Sequence, residues 1–252
     1  LWQSVLKENW SLEEQGMHEF NIYALIAQKL GFGDHLSSDT ISVFGSLTVL
    51  ILLFIISIFA WRRLKDPEMR VVPSGKFTLS NIMEIFVEGL LSIMRGILGD
   101  HAERYLPIIG TLFVYIFCCN MLGFIPGLNS PTSVIVTNLA CALVVFVYYN
   151  YVGIKDMGFA KYMKTFLGPV IWLAPLFLFI ELISHFIRPI TLSVRLYGNI
   201  MGDHMVLGIF SEITPIIVPI FFIILGIFVS LIQAFIFSIL STVYIALATQ
   251  HE

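Results

Sequence analysis

IELISHFIRPITLSVRLYGNIMGD, residues 180–203, is the stretch on which the reading of this chain turns. It lies between two strongly apolar runs, and at its centre Arg195 has no acidic neighbour in sequence. An arginine near mid-bilayer costs about 2.5–3.5 kcal/mol on insertion scales and roughly 10 or more in simulations. Its guanidinium does not shed a proton, so neutralisation offers no escape. A charge that expensive requires a partner or a task. At about 100° per residue, Glu181, His185, Arg188, Arg195, Asn199 and Asp203 fall near one stripe of a helix, with His204 roughly opposite Arg195. Titratable groups thus precede and follow a fixed positive charge, a set able to receive and release protons on either side of it. A plainer reading, in which these groups snorkel or pair to settle a tilted helix, suffices for each taken singly. It does not account for Arg195 within the whole stripe.

Composition agrees with a membrane setting. The chain has 252 residues, 58% hydrophobic and 12% charged, where soluble domains carry about 25% charged residues. Cys118, Cys119 and Cys141 all lie in apolar runs, an odd count with neither disulfide nor metal spacing, and read as small buried groups. His18-Glu19 lacks the second histidine of a zinc-protease motif, so no metal is assigned. A first residue of Leu1 points to a processed or trimmed start, and no cleavable signal pattern follows it.

The order of segments follows from the apolar runs. Residues 1–40 form a mixed, polar N-terminal segment, and residues 41–252 a single membrane domain. The first span covers about 41–61 and ends at Arg62, Arg63, Lys65 and Arg70. Residues 77–99 carry Asn81, Glu84, Glu88, Ser92 and Arg95 as a narrow polar stripe, which favours an amphipathic helix at the membrane surface over a packed span. Asn81 and Glu84 also suit a capping box. Spans at 106–125 and 134–151 are joined by the turn PGLNSPT. Two long segments, 168–210 with Pro175 and Pro189 inside it and 215–249, exceed what a perpendicular crossing requires and imply strong tilt. With five crossings, ten Lys and Arg from Arg62 to Lys164 fall on one side and Lys7 and Lys29 on the other. The N-terminus is therefore expected outside and the C-terminus in the cytoplasm.

PITLSVRLYGNIMGDH, followed by LIQAFIFSILSTVYIALA, resembles subunit a of the rotary F-type ATP synthase Fo sector. CCNMLGFIPG and SPTSVIVTNLACAL resemble that family's central hairpin, and the likeness runs from about Lys76 to the C-terminus. The resemblance implies an all-α polytopic fold whose last two long helices lean against a ring of c subunits. It implies no cofactor, no catalysis by this chain alone and no nucleic acid. Its partners would be the c ring, peripheral-stalk b subunits and the bilayer, expected to be a bacterial inner membrane. Arg195 matches the family's essential arginine, Gln233 a glutamine near it, Glu181 an acidic position of the cytoplasmic half-channel and Asn199 a polar position of the outer route. His204 occupies a site that varies between acid and histidine. Its usual partner position is Gly226 here, which shifts part of the outer path to Asp203. His185 is placed with the proton path. Arg188 and Ser230 read as structural or interfacial, Ser238 and Ser241 as packing groups, and Glu212 as lining the outer channel or merely sitting at the interface.

Two other classes compete. A secondary transporter or channel would also place charge in mid-membrane, yet no internal repeat of its kind is visible. A membrane-embedded enzyme would need a nucleophile–base–orienter set, a ligand cluster or a phosphate loop, and none is legible. A purely structural assembly subunit would be indifferent to loss of Arg195.

Overall fold

The computed structural model describes residues 38–64, 79–125, 128–165, 174–213 and 217–249. The expectations for residues 1–37, for most of the basic stretch after the first span and for the start of the long segment expected from residue 168 lie outside these. Among the described residues every regular element is helical. The helices are α1 (Ser38–Leu64), α2 (Leu79–Leu98), α3 (Ala102–Leu122), α4 (Ile135–Met157), α5 (Phe159–Thr165), α6 (Ala174–Ile213) and α7 (Ile217–Thr249), with short 3-10 turns at Gly99–His101 and Pro131–Ser133. Among the described residues five helical stretches are long and apolar enough to cross a membrane: Thr40–Phe59, Glu84–Leu122, Ile135–Met157, Ala174–Phe210 and Val218–Thr249.

Packing centres on α7, which meets α2, α3, α4 and α6. Its inward positions Ser230, Gln233, Ala234, Phe237, Ser238, Ser241, Thr242, Ile245 and Ala246 recur every three or four residues and are all buried. Small residues there let neighbouring backbones come close, the means by which helices associate where lipid is as apolar as leucine. Ser238 and Ser241 donate to the carbonyls of Ala234 and Phe237 at 3.0 and 2.7 Å, in keeping with packing groups. On α3, Tyr105, Ile109, Phe113 and Ile116 repeat the pattern, while outward apolar residues such as Phe54, Val147 and Phe221 stay uncovered. These bare faces suit hydrocarbon.

α2 folds back antiparallel on α3. Gly99, at φ +60°, makes the reversal, a conformation a residue with a side chain resists. Phe86 then meets Phe113 with ring centroids 4.4 Å apart. Leu90, Met94 and Leu98 are buried, whereas Glu84, Glu88, Ser92 and Arg95 are exposed, as the polar stripe requires. Asn81 of the expected capping box lies within α2, and its side chain lies outside the described residues. Pro175 is the second described residue of α6. Pro189 is truly internal. Near it the Thr191 hydroxyl donates to the carbonyls of Ile187 and Arg188 at 3.1 and 3.0 Å.

Candidate functional site

Polar groups along α6 gather in three places. In the N-terminal half, Arg188 pairs with Glu181 at 3.2 Å and its guanidinium lies 5.6 Å from the Tyr244 ring centroid, within cation–π range. His185, on the same turn, points toward α4. Its Nε2 lies 2.9 Å from Asn150 Oδ1, which also accepts from the Tyr162 hydroxyl at 2.8 Å. The Asn150 amide nitrogen is committed to the carbonyl of Phe146 at 2.7 Å, so its oxygen must accept and His185 must donate through Nε2–H. Nδ1 then takes the Tyr149 hydroxyl at 3.4 Å. Tyr162 stands on α5, and burial pushes its hydroxyl above its ordinary pKa against the opposing charge of Arg188.

In the middle of α6, Leu192, Leu196 and Ile200 are buried, and Arg195 faces away from them, exposed. It takes part in none of the three ion pairs among the described residues. One turn on, Asn199 Nδ2 donates to Gln233 Oε1 at 2.7 Å and ties α6 to α7. Gln233 is only 3% exposed, so this bond satisfies a group that would otherwise be stranded. Residues four apart on a helix have Cβ atoms about 5–6 Å apart, which sets the brace one turn from Arg195 on the same helix.

Toward the C-terminal end of α6, Asp203 and His204 line a cavity of ≈ 20 Å³ with Asn120, Gly123, Phe124 and Ser230 among its walls. That exceeds the roughly 10–15 Å³ a water needs. Ser230, expected as a packing residue, is one of these walls. Glu212 belongs to the last turn of α6, and its side chain lies outside the described residues.

The single stripe drawn on α6 therefore divides. Glu181 and Arg188 pair with each other, His185 turns to α4, Arg195 faces outward and Asn199 crosses to α7. Sequence reasoning missed Asn120, Tyr149, Asn150 and Tyr162. Lone amides inside the apolar runs of α3 and α4 were the available signal. Among the described residues no cluster of three or more His, Cys, Asp or Glu has metal-binding geometry.

The family described as ATP synthase A chain matches residues 43–246. ATP synthase subunit a of Trichlorobacter lovleyi is 40% identical over 230 residues, 91% of this chain and 96% of that protein. Subunit a of Geotalea uraniireducens is 43% identical over 197 residues, covering 78% and 82% of the two chains. That of Helicobacter pylori is 43% identical over 209 residues, covering 82% and 89%.

Proposed function

Because this chain belongs to the ATP synthase A chain family, the non-catalytic Fo membrane subunit of F-type ATP synthase, we propose that Arg195 is the barrier cation of its proton path. In this reading a rotating ring of c subunits carries mid-membrane carboxylic acids past α6 and α7. Beside the guanidinium the ionised carboxylate is favoured by opposite charge, so an arriving acid releases its proton. On leaving into lipid, desolvation favours the protonated form. A continuous proton wire would leak. Two offset half-channels, one on each side of Arg195, instead oblige each proton to travel with the ring. Every charge moved across 100 mV contributes about 2.3 kcal/mol, so several are required per ATP.

The observation that carries this reading is Arg195 itself: exposed on the outward face of α6, outside every described ion pair, and one turn from the 2.7 Å Asn199–Gln233 bond. An expensive charge without a counter-ion among the described residues suits a partner that brings one. Glu181 serves the cytoplasmic half-channel, with His185 and Arg188 beside it. Asp203, His204 and Ser230 serve the outer one through their shared cavity, with Glu212 near its mouth. The N-terminus faces outward and the C-terminus the cytoplasm of a bacterial inner membrane, and b subunits anchor the assembly. The test is ATP-driven proton pumping by the reconstituted complex carrying Arg195→Ala. Assembly with pumping abolished is expected; normal pumping would overturn the proposal.

A further inference from the structure

One buried amide beside the outer cavity has an end that nothing satisfies. Asn120 is 2% exposed, its Oδ1 accepts from the Thr132 hydroxyl at 2.7 Å, and its Nδ2 has no partner among the described residues. Thr132 is itself held: Ser130 Oγ lies 2.6 Å from its hydroxyl and donates to the carbonyl of Cys119 at 2.9 Å. Turning the amide over exchanges which end is unmet and leaves one unmet all the same. Native interiors rarely tolerate this without water or an ion. Asn120 lines the cavity shared with Asp203, His204 and Ser230, whose ≈ 20 Å³ admits a water.

Two glycines shape the same space. A Cβ at Gly226 would fall 2.6 Å from Phe124 Cε1 and Cζ and 3.8 Å from Asp203 Oδ2. A Cβ at Gly123 would fall 2.9 Å from Ser130 Cβ and 3.3 Å from His204 Nε2. The Phe124 ring therefore lies against the bare backbone of α7 at Gly226, where no side chain answers Asp203. The His204 imidazole turns instead to the end of α3, where Gly123 makes room for it.

We infer that Asn120 is a positioning residue of the outer half-channel: the unmet end of its amide holds a water between Asp203 and His204. The outer route is thereby completed from α3, where α7 offers only Ser230 and a glycine. This rests on reading the cavity as that half-channel. The chemistry selects water, which accepts from an amide nitrogen or donates to an amide oxygen, whichever end faces it. Held at one position by Asn120, the water keeps a lone pair to take a proton and a hydrogen to yield to an acceptor such as the Asp203 carboxylate. The water gains a proton on one side as it yields one on the other, so nothing accumulates.

The test uses the whole complex in vesicles, comparing initial rates of ATP-driven pumping in Asn120→Leu, Asn120→Ser, Asp203→Asn and Arg195→Ala, together with a map of the unaltered complex fine enough to show waters. Asn120→Leu, similar in size but without a polar end, is expected to lower the pumping rate about fivefold to tenfold, the effect of losing one ordinary hydrogen bond. Asn120→Ser restores a hydroxyl able to donate or accept and recovers most of the loss, which a merely structural role would not do. The map then shows a water within hydrogen-bonding distance of Asn120. Pumping unchanged in Asn120→Leu while Asp203→Asn is impaired overturns the inference and spares the half-channel reading, as does Asn120→Ser failing like Asn120→Leu. Normal pumping in Arg195→Ala overturns the functional reading and this inference with it. Should Asn120→Leu fail to assemble, the map decides alone: a water at Asn120 supports the inference, and a dry cavity refutes it.

Discussion

The bond between Asn199 and Gln233 gives the sharpest quantitative handle on the site. At 2.7 Å it joins the two long helices one turn from Arg195, and Gln233 at 3% exposure has little access to solvent. Interhelical hydrogen bonds in membranes average about 0.6 kcal/mol, with about 1.7 at the upper end. If the brace sets the position of the guanidinium, that energy is lost from the transition state for proton exchange. Asn199→Leu and Gln233→Leu should each slow ATP-driven pumping by about threefold to twentyfold. Both remove the same bond, so the double variant should be no slower than the worse single one. The assay is a double-mutant cycle on the initial rate of ATP-driven pumping in reconstituted vesicles. Losses that multiply in the double variant would refute the brace and leave two polar residues acting separately.

Three further outcomes follow from other contacts. Gly153→Ala should lower the melting temperature of the purified complex, because the new Cβ would lie 2.6 Å from Tyr162 Cε2 and 3.1 Å from the carbonyl oxygen of Ala248. The backbone cannot yield there, so the cost is about 1–3 kcal/mol. Glu181→Gln should slow proton flux and change its dependence on cytoplasmic pH, since it removes the acid and leaves Arg188 without its 3.2 Å partner; flux unchanged at every pH would remove Glu181 from the path. Asp156→Asn should shift thermal stability by no more than about 1 kcal/mol, because its 3.3 Å pair with Arg104 is partly exposed and an amide oxygen can still accept from the Tyr105 hydroxyl at 3.2 Å; a larger loss would show a structural role at that end of α4.

The five spans were legible because the bilayer demands long apolar runs, and those runs have few imitators in sequence. Their ends were less so. The expected span 134–151 stops where polarity rises, but α4 continues through Lys155 and Asp156 to Met157. Gly158 ends it at φ +83°, its N–H closing on the carbonyl of Ile154 at 2.9 Å. Helix ends follow backbone conformation, and polarity is only a correlate. Arg195, Asn199 and Gln233 could be singled out from the chain because a polar group in an apolar run is conspicuous. The direction of His185 could not, since the helical stripe gives an angle without saying which neighbour fills it. Asn120 and Asn150 each depend on one long-range contact, to Thr132 and His185, that no local pattern encodes.

The way α1 is attached bears on how the chain is made. The Ser42 hydroxyl donates to the carbonyl of Pro131 at 3.2 Å and Gly45 sits against the Pro131 ring, while most of the helix beyond presents bare apolar surface. Between Thr40 and Phe59 it has no ionisable side chain, so it can leave the translocation machinery for lipid as soon as it is synthesised. α6 has no such freedom. With Glu181, His185, Arg188, Arg195, Asp203 and His204 aboard, it depends on α4 and on the later-made α7 for its contacts, including the amide of Gln233. A chain halted before α7 would lack the amide that answers Asn199 and the Tyr244 ring beside Arg188, so α6 is settled only once the last helix is in place.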